Sequence, residues 1–394
     1  MSRWHAYLNS SKLILSIYKG EEPFASFIKK YFSANKKFGS ADRKQVSHLC
    51  YCYFRMGKAL PGMPVEEKIL TGLFLCSEGQ NKLLEELRPE WNERTPLSVA
   101  EKLIFLDIGS FADDIFPWIY ELSDGLDKET FVHSHLQQPD LFLRLRPGNE
   151  ETVKAKLSAA GIVFKTISDQ CLALPNSSRI DRLIILDKEA VVQDRSSQNA
   201  GTFLQLPNYK LQTINHKPSI WDCCAASGGK SIMVKDMLGD IDLTVSDVRE
   251  SILVNLKKRF SAAGIDHYKA MAIDLAGNDR SPLLNAQFSI ILADLPCTGS
   301  GTWSRTPEQL FYFNPEKIGH YAALQRNILS NVLGCLEPGG YLLYITCSVF
   351  KKENEEIVKF VREKFQLELE KMELIKGYDK KADTMFAALL KRSR

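Results

Sequence analysis

The sequence predicts an α/β protein: a doubly wound, mainly parallel sheet in the C-terminal half, preceded by a helical domain and a small α+β module. Three observations carry this. From about Pro218 onward, short apolar runs alternate with amphipathic helical patterns, as βαβ crossovers require. Four of those runs end in an acid: "SIWD", "LTVSD", "AMAID" and "FSIILAD". Residues 1–132 instead carry helical periodicity, and 133–210 mix short strands with one helix. The expected division is therefore 1–132 helical, 133–210 small α+β and 211–394 parallel α/β.

In the helical part, "SADRKQVSHLCYCYFRMGK" places Val46, Leu49, Cys50, Tyr53 and Phe54 on one apolar stripe, with Ser40 able to cap. "MPVEEKILTGLFLCSE" and "PLSVAEKLIFLDIGSFADDIF" continue the pattern, and Pro64 and Pro96 suit helix starts. In the middle module "LFLRLRP" alternates with period two and sets Arg144 and Arg146 on one face. "NEETVKAKLSAAG" reads as a helix capped by Asn149 and stopped by Gly161, and "IVFKTI" and "CLALP" as strands. In the last part "RESILVNLKKRFSAAG" and "YAALQRNILSNVLGCLEPGG" are crossover helices. Ligands of such sheets bind at the carboxyl ends of the strands, where the four acids lie.

Composition excludes several classes. The 394 residues suggest two or three domains, and 44% hydrophobic with 25% charged residues is ordinary for a soluble globular chain. Lysine and arginine total 51 against 48 acids, a net charge of +3, so no global cationic field exists. A nucleic-acid partner needs local patches. Lys29-Lys30, Lys36-Lys37, Arg144 with Arg146, Lys257-Lys258-Arg259 and Lys391-Arg392 are candidates, although such a pattern is more often just a solvated face. No signal peptide or membrane-length apolar run is visible. Nine cysteines without regular spacing fit a reducing compartment, so a cytoplasmic location is expected. Cys50 and Cys52 read as core, and no metal is expected. The sequence does not specify an oligomeric state; a monomer is the default expectation.

The first strand of the last part runs into "DCCAASGGKS". Its ending resembles a phosphate loop, but that spacing needs a glycine where Cys224 stands, and no G-x-G-x-x-G follows. Between Cys224 and Lys230, Ala225, Ala226, Ser227, Gly228 and Gly229 instead offer small residues that let a ligand approach the backbone. Asp247, ending the second strand, suits a ribose diol, and Asp274, ending the third, an adenine edge. Ribose and adenine without a phosphate loop point to S-adenosyl-L-methionine. The plain alternative is that each acid merely caps the next helix.

Asp294, Leu295, Pro296 and Cys297 follow the fourth strand, and Cys347 follows "YLLYIT", fifty residues later. A thiol beside a methyl donor suits carbon-5 of cytosine, a poor nucleophile until a thiolate adds to carbon-6. A carboxyl group near ring N3 would stabilise the adduct. Free cysteine is roughly 3% thiolate at pH 7, so making the anion the majority form takes about 2 kcal/mol from the surroundings. On chemistry alone either cysteine could attack.

"DCCAASGGKS", "SDVRE", "ADLPCTGSGTWSRTPE" and "YITCSVFKKENEEIV" together resemble, in order, the motifs of RNA (cytosine-5) methyltransferases of the RsmB/Sun type. The resemblance implies a Rossmann-like S-adenosyl-L-methionine-dependent methyltransferase domain, with Cys347 as nucleophile, Cys297 assisting release, and Asp294 contacting the cytosine. It further implies that residues 224–230, Asp247, Asp274 and Asp294 hold the cofactor. Upstream, "LFLRLRPGNEETVKAKLSAAGI" resembles a ferredoxin-like module and "SADRKQVSHLCYCYFRM" a NusB-like RNA-binding domain; "DTMFAALLKR" resembles the last strand, with no further RNA-binding domain after it. Ser227, Ser231 and Ser304 stand where the family carries proline, threonine and arginine; the first would loosen the cofactor loop, and the last would weaken RNA contacts near Arg305. The implied substrate is RNA, ribosomal RNA first. The same chemistry on transfer RNA, or a non-catalytic RNA-binding assembly factor, are the rivals.

Overall fold

The structure, a computed structural model, describes residues 3–109, 111–205, 217–277 and 286–393. The boundary expected between residues 210 and 211 lies outside the described residues. Packing divides the chain into two compact units: Met1–Tyr120 with Asp127–Gln138 and Thr302–Pro315, and Glu121–Leu126 with Pro139–Gly301 and Glu316–Arg394.

The first unit is helical. Its longer helices are Arg3–Ile17, Phe24–Ala34, Ser40–Arg55 and Val65–Cys76. The expected stripe is the core face of Ser40–Arg55: Val46, Leu49, Cys50 and Phe54 are fully buried, while Tyr53 is half-buried. Ser40 does not cap this helix. Gly39 holds the cap position, and its own amide donates to Asp42 Oδ2 at 2.9 Å, so the first turn is closed by a carboxylate on the cap residue's amide and not by a cap hydroxyl. Pro64 directly precedes Val65–Cys76, whereas Pro96 precedes the cap Ser98 of Val99–Phe105 by two residues.

Thr302–Pro315 lies by sequence inside the part expected to be parallel α/β, yet it packs with the helices. Tyr312 packs against Tyr18 and Phe54, and Phe311 against Tyr53 and Phe54. Tyr312 Oη donates to Tyr18 O (2.8 Å), and Phe24 N donates to Glu308 Oε1 (3.1 Å). Such aromatic pairs contribute roughly 0.5–1.5 kcal/mol each beyond burial. Gly20, at φ +78°, is needed here because a Cβ would meet the Tyr312 ring at 2.6 Å.

The second unit holds two sheets. The smaller is built from β1 (Leu141–Leu145), β2 (Lys165–Ser168), β3 (Cys171–Leu174) and β4 (Ala190–Val192), in the antiparallel order β2-β3-β1-β4. Helix Glu150–Ala159 buries Val153 and Leu157 against it. Asn149 occupies the cap position without a capping bond; its side chain turns back to Arg146 O and Pro147 O. Gly161, at φ +66°, follows the helix end. Arg144 and Arg146 do share a face, but as a buried cluster rather than a surface patch: both pair with Asp236, at 2.6 and 2.7 Å, with side chains only 7% and 14% exposed. An aspartate on a helix of the larger sheet's layer thus takes up both charges.

The larger sheet comprises β5 (Ser219–Asp222), β6 (Asp242–Asp247), β7 (Tyr268–Ala272), β8 (Phe288–Asp294), β9 (Leu336–Thr346), β10 (Leu367–Ile375) and β11 (Met385–Arg392). Its order is β10-β11-β9-β8-β5-β6-β7, parallel from β9 to β7 and antiparallel where β11 meets β9 and β10. Apolar clusters cover both faces, one around Ile220, Val245 and Phe260, the other around Trp221, Leu329 and Tyr344. This is a Rossmann-like layout. The winding direction reverses between β5 and β8, which opens the sheet's crevice at their carboxyl ends. Among the described residues no helix is long and apolar enough to cross a membrane.

Candidate active site

Three strand-end loops meet at that crevice. The first follows β5. Asp222 ends the strand buried, its Oδ2 accepting from Ser231 Oγ. Burial raises its pKa from 3.8 to about 7, with Asp294 adding to the effect. Asp222 is therefore a packed anchor of the loop. After it, Ala225 N donates to Ser246 O (2.8 Å) and Gly228 N to Ala225 O (2.8 Å), which curls residues 225–228 into a turn. Gly228 has φ +84°, and a Cβ there would meet Phe260 at 2.6 Å, so both conformation and space call for glycine. Helix Gly229–Leu238 starts at once. Cys224 and Gly229 are half-buried beside this turn.

Ser227 does not leave the loop untethered. Its hydroxyl and carbonyl accept from Arg259 Nη1, at 2.9 and 3.2 Å, and Arg259 is paired with Asp187 at 2.7 Å. That arginine belongs to the expected 257–259 patch; Lys257 and Lys258 beside it are exposed. Asp247, ending β6, is 6% exposed and accepts from Ala226 N (3.0 Å) and from Arg249 N (2.9 Å). Asp274 lies two residues past β7, exposed, with Oδ1 accepting from Ala276 N (2.9 Å). Of the two acids, Asp247 is the one tied to the β5 loop.

The second loop follows β8. Asp294 accepts from Lys230 Nζ at 2.6 Å, joining the β5 loop to the cysteine loop. Burial opposes the Lys230 charge, but Asp294, through its charge and its hydrogen bond, together with Cys347, holds the lysine pKa above its ordinary value. The third loop follows β9 directly at Cys347. Its sulfur lies 3.2 Å from that of Cys297, across fifty positions of sequence. Both cysteines are half-buried. The bond to Cys347, then burial, then the Cys347 and Glu353 charges drive the Cys297 pKa well above its ordinary value. Gly301 makes the close approach possible: its amide donates to Cys347 O (2.9 Å), and a Cβ there would lie 1.9 Å from Thr384 O.

The sequence reading missed what fastens these two loops. Glu353, fully buried, accepts from Thr298 N (2.9 Å) and Gln325 Nε2 (3.4 Å) on one oxygen, and from Thr298 Oγ1 (2.6 Å) and Ser348 Oγ on the other. Gln325 Nε2 also donates to Pro296 O (3.0 Å). The only sequence signal was an acid within "KKENEE", where nothing separates a buried glutamate from its exposed neighbours. Tyr321 completes the surroundings; burial raises its pKa, followed by the charges of Cys297, Glu353 and Cys347. Among the described residues no group of side chains is arranged to hold a metal ion.

Comparison with known proteins gives likenesses in sequence and in fold. Residues 209–390 match the family model described as 16S rRNA methyltransferase RsmB/F. Ribosomal RNA small subunit methyltransferase B of Proteus mirabilis is 29% identical over 58% of this chain. The match takes in 53% of that relative, so the chain spans about half the length of the curated relatives it matches. Among solved structures, PH0851 is similar with a TM-score of 0.69 over 99% of this chain and 98% of its own, at 19% identity. NSun6 from Pyrococcus horikoshii, crystallised with SFG, gives 0.58 over 68% of this chain and 94% of its own, at 15% identity. At such identities the structural likeness is one of fold. Over residues 209–390 the chain is similar to the RsmB/F methyltransferase family.

Proposed function

We propose that this protein methylates carbon-5 of a cytosine in RNA, ribosomal RNA first, with S-adenosyl-L-methionine as donor. One observation carries the reading: two sulfurs 3.2 Å apart, beside an Asp294–Lys230 pair, at the carboxyl ends of adjacent parallel strands. A lone buried cysteine is usually a small hydrophobe, whereas two half-buried ones in contact at strand ends suit covalent chemistry.

The β5 loop fits the donor. Cys224, Ala225, Ala226, Ser227, Gly228 and Gly229 would line its amino-acid end, Asp247 its ribose and Asp274 its adenine. When bound, the donor supplies the methyl group. The chain does the rest. Cys347 Sγ adds to carbon-6, and the electron pair of the 5,6 double bond becomes available at carbon-5. Asp294, held by Lys230, faces the ring N3 side and stabilises the adduct. After transfer Cys297 Sγ takes the carbon-5 proton, that carbon–hydrogen electron pair re-forms the 5,6 double bond, and Cys347 leaves carbon-6 as thiolate. The target base is reached out of its stack or in a single-stranded stretch.

The helical residues 1–132 and the α+β residues 133–210 would position the RNA, the former as a NusB-like and the latter as a ferredoxin-like module. Exposed Lys29, Lys36 and Lys37 supply phosphate contacts on the former. A cytoplasmic, monomeric enzyme is part of the same reading. Bisulfite sequencing of total RNA from cells with and without the protein tests it: one cytosine should lose its protection in the deletion. Loss at a transfer RNA position would favour that rival substrate, and no change together with no donor binding by calorimetry would favour the assembly factor.

A further inference from the structure

A cavity of about 430 Å³ opens between the four-stranded sheet and helix Gly229–Leu238, wholly within the second unit. β1 contributes Arg144, the turn between β2 and β3 contributes Gln170, helix Arg195–Gly201 contributes Arg195 and Gln198, and helix Gly229–Leu238 contributes Asp236 and Met237. Gly201 lets the two helices close up, since a Cβ there would lie 2.8 Å from the Met233 sulfur. The cavity is separate from the crevice of the proposed reaction. Asp236 and Met237 lie seven and eight residues beyond Gly229, about 10–12 Å down the helix from the β5 loop at 1.5 Å per residue.

The charges around this cavity do not cancel. Two guanidinium groups, those of Arg144 and Arg146, share the single carboxylate of Asp236. Asp236 is the only acid in the cavity wall among the described residues, so one positive charge is left over. Half-buried Arg195 adds a second, its guanidinium making no hydrogen bond or ion pair among the described residues. The adjacent acid, Asp194, accepts instead from the amides of Ser196 (2.7 Å) and Asp383 (3.1 Å). Arg144 donates from Nε to Gln193 Oε1 (2.7 Å), and its Nη2 is buried with no partner among the described residues. That group sits behind the cavity surface and acts through its charge, whereas Arg195 is placed for contact. Side-chain amides such as Gln170 both donate and accept, and Met237 offers an apolar surface.

We propose that this cavity is a second binding site, which holds one nucleotide by its phosphate on Arg195, with the charge of Arg144 behind it. Surplus positive charge between low-dielectric walls favours an anion, and a guanidinium fork matches phosphate oxygens. The amides suit the edge of a base and the methionine its face. Ligand cavities run from about 300 to 1,000 Å³, so this one takes a single nucleotide and not a length of strand. Two sources offer the same chemistry, a free nucleotide and one residue of bound RNA. The RNA source rests on the functional reading above; phosphate binding does not.

The test uses the whole protein. If the source is a free nucleotide, calorimetry with uridine 5′-monophosphate, in saturating S-adenosyl-L-methionine, should give a Kd below about 1 mM, with inorganic phosphate competing. Arg195→Glu should then weaken binding about 10- to 100-fold, the worth of a hydrogen bond to a charged group, and leave S-adenosyl-L-methionine binding unchanged. If the source is RNA, a ten-nucleotide single strand should bind Arg195→Glu more weakly, and the salt slope of binding should fall by about one, as for one lost phosphate contact. Should Arg195→Glu fail to fold by circular dichroism, Gln170→Glu, which adds a carboxylate at an exposed position of the wall, decides by the same two readouts with a smaller factor. A substitution that changes neither the nucleotide affinity nor the salt slope would overturn the inference. Binding that depends on Arg195, with no methyl label entering RNA, would refute the functional reading and leave this inference standing.

Discussion

The loop after β5 and the pair of loops after β8 and β9 line one crevice but are built in opposite ways. The β5 loop is local. Its turn closes over four residues, from Ala225 to Gly228, and its small side chains leave space above the backbone. Asp247, one strand away, ties to it through a single amide. The cysteine loops are joined by contacts that leap across the sequence: sulfur to sulfur, Gly301 to Cys347 and Thr384, and Glu353 to Thr298, Ser348 and Gln325. A binding surface tolerates graded adjustment, since each hydrogen bond adds its own increment. A covalent step does not, because sulfur and carbon must meet within a few tenths of an ångström. The more extensive cross-bracing lies where the tolerance is least.

Substitutions test this contrast, the largest effects falling at the sulfur end. Cys347→Ala is expected to cut methyl transfer by more than about a thousandfold, as for loss of a covalent nucleophile, and to form no adduct. Transfer of labelled methyl to RNA measures it, and full turnover in this variant would remove the assigned roles. Cys297→Ala should also lose turnover but in a different way. RNA should remain covalently attached through Cys347, visible as a slower band on a denaturing gel. Absence of that band would show that Cys297 acts before the adduct or not at all.

Effects at the other end should be graded. Asp222 has its pKa raised by burial from 3.8 to about 7. A carboxyl group whose folded pKa is raised gives its full stabilisation below about pH 4 and loses it as pH rises through about 7. Asp222→Asn, which mimics the neutral acid, should thus match the wild type near pH 4 and exceed it at pH 8. The ceiling is on the order of 4 kcal/mol at 1.36 kcal/mol per unit. Urea unfolding at the two pH values reads the difference, and equal stability at pH 8 would mean that Asp222 is better solvated than its burial implies. Asp247→Ala should weaken S-adenosyl-L-methionine binding about 10- to 100-fold, the worth of one or two hydrogen bonds to a charged group. Calorimetry measures it. An effect under twofold would place the ribose elsewhere and make Asp247 a brace of the Ala226 turn alone.

Much of this molecule was legible in its residues because the relevant signals are local. An apolar run ending in an acid marks a strand end within a few positions, and β5, β6 and β8 do end at Asp222, Asp247 and Asp294. The stripe from Val46 to Phe54 reports a buried face directly. Capping was less secure, since Gly39 with Asp42 competes with Ser40 on equal terms within one turn. Arg144 and Arg146 were legible as a pair on one face, but not as turned inward, because Asp236 lies about ninety positions away.

The sequence alone determined the strand–helix alternation, the placement of acids and thiols at strand ends and the absence of a phosphate loop, since each depends only on neighbouring residues. Tertiary structure decided which groups meet. It set Cys297 against Cys347, Lys230 against Asp294 and Glu353 beneath both cysteine loops, and it sent residues 302–315 to pack with the helices. Those outcomes depend on how strands fifty residues apart align side by side in one sheet. That alignment is fixed by side chains packed on both faces at once, a sum over the whole core that no short stretch of sequence contains.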